Sequence, residues 1–174
     1  CQEGLSRVTL GNFLIKRVVY EIQEELPHIK NFGTLSPIPG FTDWLRYVEE
    51  PKIKNILTSF KNQDVSFLKS QDLKLGDSRI IENKEAIKKL VAHYIVNEKN
   101  QQGLPMNDVT RFHLGNGAIV EDIVINANIS EQGFKRAYGV MVNYLYELNN
   151  IEKNHEDYMN NNKVIVSDKI KKYL

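Results

Sequence analysis

Two prolines and a glycine within five residues, Ser36-Pro37-Ile38-Pro39-Gly40, constrain this chain more than any other stretch. Pro37 pushes the Ser36 backbone toward extended or polyproline geometry, and Pro39 with Gly40 holds the turn that follows. Backbone rigidity therefore fixes the Ser36 hydroxyl. Residues 29–35 read as a short strand that delivers it. A second segment, Arg111-Phe-His-Leu-Gly-Asn-Gly-Ala118, is equally punctuated. It predicts a strand over 109–114, a Gly115-Asn116-Gly117 hairpin turn and an apolar return strand from Ala118. That hairpin would put His113 near a strand end.

At 174 residues the chain has the size of one domain with a sizeable core. Its 23 basic and 22 acidic residues leave a net charge of +1, so the polybasic field of a nucleic-acid binder is absent. A single cysteine, Cys1, excludes an internal disulfide and a thiolate zinc cluster. No apolar run reaches membrane-spanning length, and the ending Lys171-Lys-Tyr-Leu174 is not a peroxisomal Ser-Lys-Leu signal.

Along the chain, Leu14, Val18, Ile22 and Leu26, joined by Ile15 and Val19, recur at helical spacing until Pro27 closes the run. Helix, strand and functional turn in that order indicate an α/β layer. Residues 40–61 predict one or two short helices, and 62–83 a polar loop broken by Gly76-Asp77-Ser78. Ile87, Leu90, Val91, Tyr94 and Ile95 mark a helix buried on one face, followed by a polar loop over 97–107. After an N-cap at Ser130, the residues Phe134, Tyr138, Met141, Leu145 and Leu148 space out as one helical stripe. On this reading Tyr144 and Tyr146 leave one helix in different directions. The Asn- and Lys-rich tail after Ile151 is expected at the surface.

The serine and histidine segments, together with Gly139-Val-Met-Val-Asn-Tyr-Leu-Tyr146, resemble the malonyl-CoA decarboxylase family. The resemblance runs from Cys1-Gln-Glu-Gly-Leu5 through Leu10-Gly-Asn-Phe-Leu-Ile-Lys16 to Asn154-His-Glu-Asp-Tyr158. It implies an α/β fold like that of the GNAT acyltransferases, a mixed sheet flanked by helices. The chain would then be the C-terminal portion of the catalytic domain, lacking at its N-terminal end a helical domain and the first strands of the sheet. The implied activity converts malonyl-CoA to acetyl-CoA and carbon dioxide in fatty acid metabolism, without metal or cofactor beyond the CoA thioester substrate. The catalytic pair falls on Ser36 and His113, which are expected to approach each other in the fold. Tyr146 is implied as a substrate-contacting hydroxyl and Asn143 as an amide donor nearby. Gly4 and Gly11 would mark a loop and helix start that receive the CoA pyrophosphate, with Arg7, Lys16 and Arg17 as added charge. The resemblance further implies a homo-oligomer in the full-length enzyme, no membrane or nucleic-acid partner, and a cytoplasmic location, or a mitochondrial one in a eukaryotic source.

Two positions depart from the family pattern, Asp122 where an arginine is expected and Asn128 where an aspartate is expected. If that aspartate orients the histidine, its loss would alter the imidazole pKa. Residue chemistry alone also admits plainer roles: Ser36 as a turn residue, His113 as a half-buried strand histidine, Asn116 as a left-handed turn residue, and Tyr146 as core. Two alternatives at the level of function are a GNAT-type N-acyltransferase and a non-catalytic CoA-binding relative. A serine hydrolase is disfavoured because no Gly-x-Ser-x-Gly elbow surrounds Ser36.

Overall fold

In a computed structural model, which describes residues 10–60, 63–70 and 72–174, the long apolar helix after the polar 62–83 stretch forms the centre of the molecule. α1 spans Leu10–Glu25, β1 Phe32–Pro37, α2 Phe41–Tyr47, α3 Glu50–Ile56, α4 Arg79–Glu82 and α5 Lys84–Val96. α6 covers Asp108–Gly115, β2 Ile119–Val124, α7 Glu131–Ala137, β3 Met141–Tyr146, α8 Ile151–Asn161 and α9 Asp168–Lys171. Ile87, Leu90, Val91, Tyr94 and Ile95 of α5 are all buried. Each such side chain contributes about 2 kcal/mol through lost apolar exposure.

Among the described residues the strands form one antiparallel sheet in the order β1-β3-β2. Thr34 pairs with Tyr144 and Ser36 with Val142. Since strand side chains alternate between faces, Thr34, Ser36, Val142, Tyr144 and Tyr146 share the face turned to the core. Burial along β3 alternates accordingly, with Val142, Tyr144 and Tyr146 buried and Met141, Asn143 and Leu145 half-buried. β2 carries a bulge between Val120 and Asp122. Beyond it, Val120 N–H donates to Ile165 O (3.0 Å) and Ser167 N–H to Val120 O (2.9 Å), tying the C-terminal segment to β2.

Several elements differ from the sequence reading. Residues 109–114 are helical, because Asn107 caps the segment: its Oδ1 accepts from Thr110 N–H at 2.9 Å, with Asp108 in the first turn. The expected helix over 134–148 breaks in two. Ser130 Oγ does cap α7 by accepting from Gly133 N–H, but Tyr138 and Gly139 both take left-handed φ angles and end the helix. From Val140 onward the period is two. Tyr144 and Tyr146 therefore project from a strand, on the same face. Along α1 Val19 is buried, Ile15 and Ile22 are half-buried and Ile15 packs on the core, whereas Val18 and, just past the helix, Leu26 are exposed. The tail is not a surface segment, since Ile151, Asn154, Tyr158, Ile170 and Tyr173 are buried. In the polar 62–83 stretch, a 3-10 turn over Ser66–Lys69 sends Phe67 and Leu68 into the core.

Candidate active site

β1 ends in the proline-bounded segment that sequence alone marked as rigid. Pro39 O accepts hydrogen bonds from Asn107 Nδ2 (2.8 Å) and Tyr94 Oη (3.1 Å). Gly40 has φ +82°, and a Cβ there would stand 2.7 Å from the Tyr94 hydroxyl, so only glycine fits this turn. Ser36 is thus fixed from both sides, by pairing to β3 and by the anchored Pro39.

α6 brings His113 against the inner face of the sheet. Ser36 Oγ lies 2.9 Å from His113 Nε2, and His113 Nδ1 lies 2.7 Å from Tyr146 Oη. Thr34 Oγ1 is 3.2 Å from Ser36 Oγ. The Tyr144 ring stacks on the imidazole, centroids 4.3 Å apart and planes 17° from parallel. Ser36 and His113 retain only 7% and 5% of their surface exposure. Burial without a charged partner pushes the His113 pKa down from 6.5 to about 4, so the ring is neutral at neutral pH. Burial likewise raises the Tyr146 phenol, which keeps its proton. Among the described residues the imidazole is the phenol's hydrogen-bonding partner. Each ring nitrogen thus faces a hydroxyl able to donate or to accept, so the neutral ring can carry its proton on either nitrogen, and Ser36 Oγ–H has Thr34 Oγ1 within reach as an acceptor. Hydroxyl, imidazole and phenol form one buried chain of hydrogen bonds.

The turn after His113 is held by α8. His155 Nδ1–H donates to Gly115 O (2.7 Å) and Asn154 Nδ2 donates to Gly117 O (3.3 Å). Gly117 has φ +79°, and a Cβ would fall 2.1 Å from Ile151 O. Asn116 is the helix C-cap, with φ −96° and Nδ2 donating to Phe112 O at 2.6 Å, so the left-handed residue of this turn is Gly117 rather than Asn116.

The expected Ser36, His113 and Tyr146 thus converge. Asn143 does not join them, because it projects from the opposite face of β3, beside Gly33 and Leu35. Gly4 and Arg7 lie outside the described residues, and Gly11 falls in α1. Arg17 is exposed and paired with Glu21 (2.7 Å). Of the two departures, Asn128 Oδ1 accepts from Ser130 N–H and Oγ–H in the loop before α7, and Asp122 faces Lys88 at 3.5 Å. The His113 ring nitrogens bond to Ser36 and Tyr146 instead, so neither departure sets the imidazole's hydrogen bonding. Thr34, Asn107, Thr110 and Tyr144 were missed as contributors. The Asn107-Asp108 cap pattern was the one available signal. Among the described residues no three His, Cys, Asp or Glu side chains gather in a metal-holding group.

A family model described as the malonyl-CoA decarboxylase C-terminal domain matches residues 1–174. The chain belongs to that family. The mitochondrial malonyl-CoA decarboxylase of Anser anser anser is 33% identical over 191 residues, spanning 99% of this chain and 38% of the relative. That of Mus musculus is 34% identical over 187 residues, spanning 97% and 38%. The crystal structure of malonyl-CoA decarboxylase from Cupriavidus metallidurans superposes with a TM-score of 0.80 at 35% identity, covering 98% of this chain and 45% of that one. The corresponding values for Rhodopseudomonas palustris are 0.77, 34%, 99% and 39%. The chain therefore spans less than half the length of these malonyl-CoA decarboxylases, and its mixed α/β architecture is theirs. No described helix is long and apolar enough to cross a membrane.

Proposed function

We propose that this domain carries the reacting pair of a malonyl-CoA decarboxylase, releasing carbon dioxide from malonyl-CoA and leaving acetyl-CoA. The observation that carries this reading is the buried 2.9 Å contact between Ser36 Oγ and His113 Nε2, backed by Tyr146. Loss of carbon dioxide from a malonyl thioester leaves an enolate that the thioester delocalises. The protein must align the scissile bond, then return one proton to carbon.

A neutral imidazole in an apolar setting suits this sequence of charges. The substrate carboxylate, bound beside Ser36, raises the imidazole pKa by Coulomb attraction, and His113 takes up one proton on binding. When the carbon-carboxylate bond breaks, its electron pair passes to the enolate and the carboxylate charge departs as neutral carbon dioxide. The imidazolium is then a strong acid in a buried site. Ser36 passes its own proton to the enolate carbon while Nε2–H replaces it, and His113 returns to its neutral state. One proton is consumed per turnover, as the overall reaction requires. With Nδ1–H donating to Tyr146 Oη, Nε2 is the nitrogen that takes up the proton and returns it through Ser36, so the ring ends each turnover in the tautomer in which it began.

We further read the sheet as part of a GNAT-like sheet in the catalytic domain of a longer enzyme, with β1 at the edge that earlier strands would join. Gly4 and Gly11 remain our candidates for a loop and helix start that receive the pyrophosphate. The test is carbon dioxide release from carboxyl-labelled malonyl-CoA by the complete protein, beside Ser36→Ala and His113→Asn. Release that both folded variants lose supports the pair. A folded parent that binds CoA thioesters without releasing carbon dioxide sinks the reading in favour of acyl transfer or simple binding.

A further inference from the structure

Asn107 makes more contacts than a helix cap requires. It is 2% exposed, and capping uses only its Oδ1, which accepts from Thr110 N–H at 2.9 Å. The same oxygen accepts from Thr110 Oγ1 at 3.1 Å, and Nδ2 donates to Pro39 O at 2.8 Å. Since an amide oxygen carries no hydrogen, the Thr110 hydroxyl proton is committed to Asn107. The 2.7 Å contact between Thr110 Oγ1 and Tyr144 Oη then has one direction, with the phenol donating. Tyr144 is the ring stacked on His113.

One side chain therefore bridges the anchored turn after Ser36 and the first turn of the helix that carries His113. Its donor end holds Pro39, three residues beyond Ser36. Its acceptor end starts the helix that carries His113 and, through Thr110, fixes the platform beneath the imidazole. Serine or aspartate would cap α6 as well. Neither carries a donor and an acceptor on one planar group that bridges α6 to Pro39.

We propose that Asn107, acting through Thr110 and Tyr144, is a positioning residue that locks the proline-bounded serine segment to the histidine helix and so sets the Ser36–His113 separation. Displacement of a reacting group by about 1 Å can cost roughly 100-fold in rate, so the effect should appear in turnover more than in substrate affinity. The kinetic part of this inference rests on the decarboxylase reading; the geometric part does not.

The test compares the complete protein with Asn107→Ser, which keeps the cap and loses the bridge. A second pair is Thr110→Val, which loses the hydroxyl, and Thr110→Ser, which restores it. For each, 15N NMR of the histidine rings follows the His113 titration, assigned by its absence from His113→Asn. The groups facing that ring are Ser36, Phe112, Tyr144 and Tyr146. Expected in Asn107→Ser and Thr110→Val are a His113 midpoint raised toward 6.5 as water enters, and a kcat at least tenfold lower with KM within about twofold. Thr110→Ser should return both toward the parent. A His113 titration unchanged in folded Asn107→Ser and Thr110→Val overturns the inference, whether or not the parent releases carbon dioxide. Absence of carbon dioxide from the parent counts against the decarboxylase reading alone, and the titration still decides the role of Asn107.

Discussion

Replacing His113 by asparagine should change how stability depends on pH, and the size of the change follows from the burial of the ring. The imidazole titrates at about 4 in the fold against 6.5 when exposed. The unfolded chain therefore takes up a proton below pH 6.5 that the folded chain refuses until about pH 4. Stability from this group is complete above 6.5 and is lost as pH falls between the two values. The slope is about 1.4 kcal/mol per pH unit, and the total about 3 kcal/mol. Urea unfolding of the 174-residue chain, followed by the fluorescence of its single tryptophan, Trp44, measures it at several pH values between 7.5 and 4. The quantity to plot is parent stability minus His113→Asn stability. Carboxylates and the other histidines are common to both chains and cancel, so the difference should decline with the stated slope. A difference that stays constant over this range would refute the claim that His113 is held neutral by burial.

Tyr146→Phe leaves Nδ1 of a buried imidazole without its hydrogen-bonding partner, so it should cost about 1–2 kcal/mol in stability and lower carbon dioxide release roughly tenfold or more; parental turnover would remove Tyr146 from the mechanism. Gly117→Ala must accept both a left-handed φ and a Cβ 2.1 Å from Ile151 O, and should destabilise by roughly 3 kcal/mol or more in urea unfolding. A neutral outcome there would mean that α8 yields easily. His155→Ala removes the 2.7 Å hydrogen bond to Gly115 O and should cost about 1 kcal/mol, with hydrogen exchange quickening at the C-terminal end of α6. Exchange at the parental rate would show that α8 does not clamp that turn.

Features that depend on neighbours in sequence were legible from the residues. The Ser36-Pro37-Ile38-Pro39-Gly40 segment is stiff because proline fixes φ and glycine permits a positive one, whatever surrounds them. The α5 stripe was readable because Ile87, Leu90, Val91 and Ile95 face a core from one side of a regular helix. The pairing of a serine with a histidine was carried by the motif resemblance rather than by periodicity, and Ser36 and His113 stand 77 residues apart.

The secondary structure around His113 and Tyr146 was another matter. Phe134, Tyr138, Met141, Leu145 and Leu148 fit a helical period while Val140, Val142, Tyr144 and Tyr146 fit a period of two, and a window of sequence holds both patterns at once. Pairing of β3 with β1 and β2 settles the choice, since those hydrogen bonds come from strands distant in the chain. The turn chemistry of Gly115-Asn116-Gly117 likewise suggested a hairpin, whereas α8 and the Asn107 cap make it the exit of a helix. Sequence by itself determined which stretch of backbone was stiff and, through the motif resemblance, which side chains to expect together. Tertiary structure decided which face each occupies and how far burial moves its proton, because both depend on contacts and solvent exclusion that no local window contains.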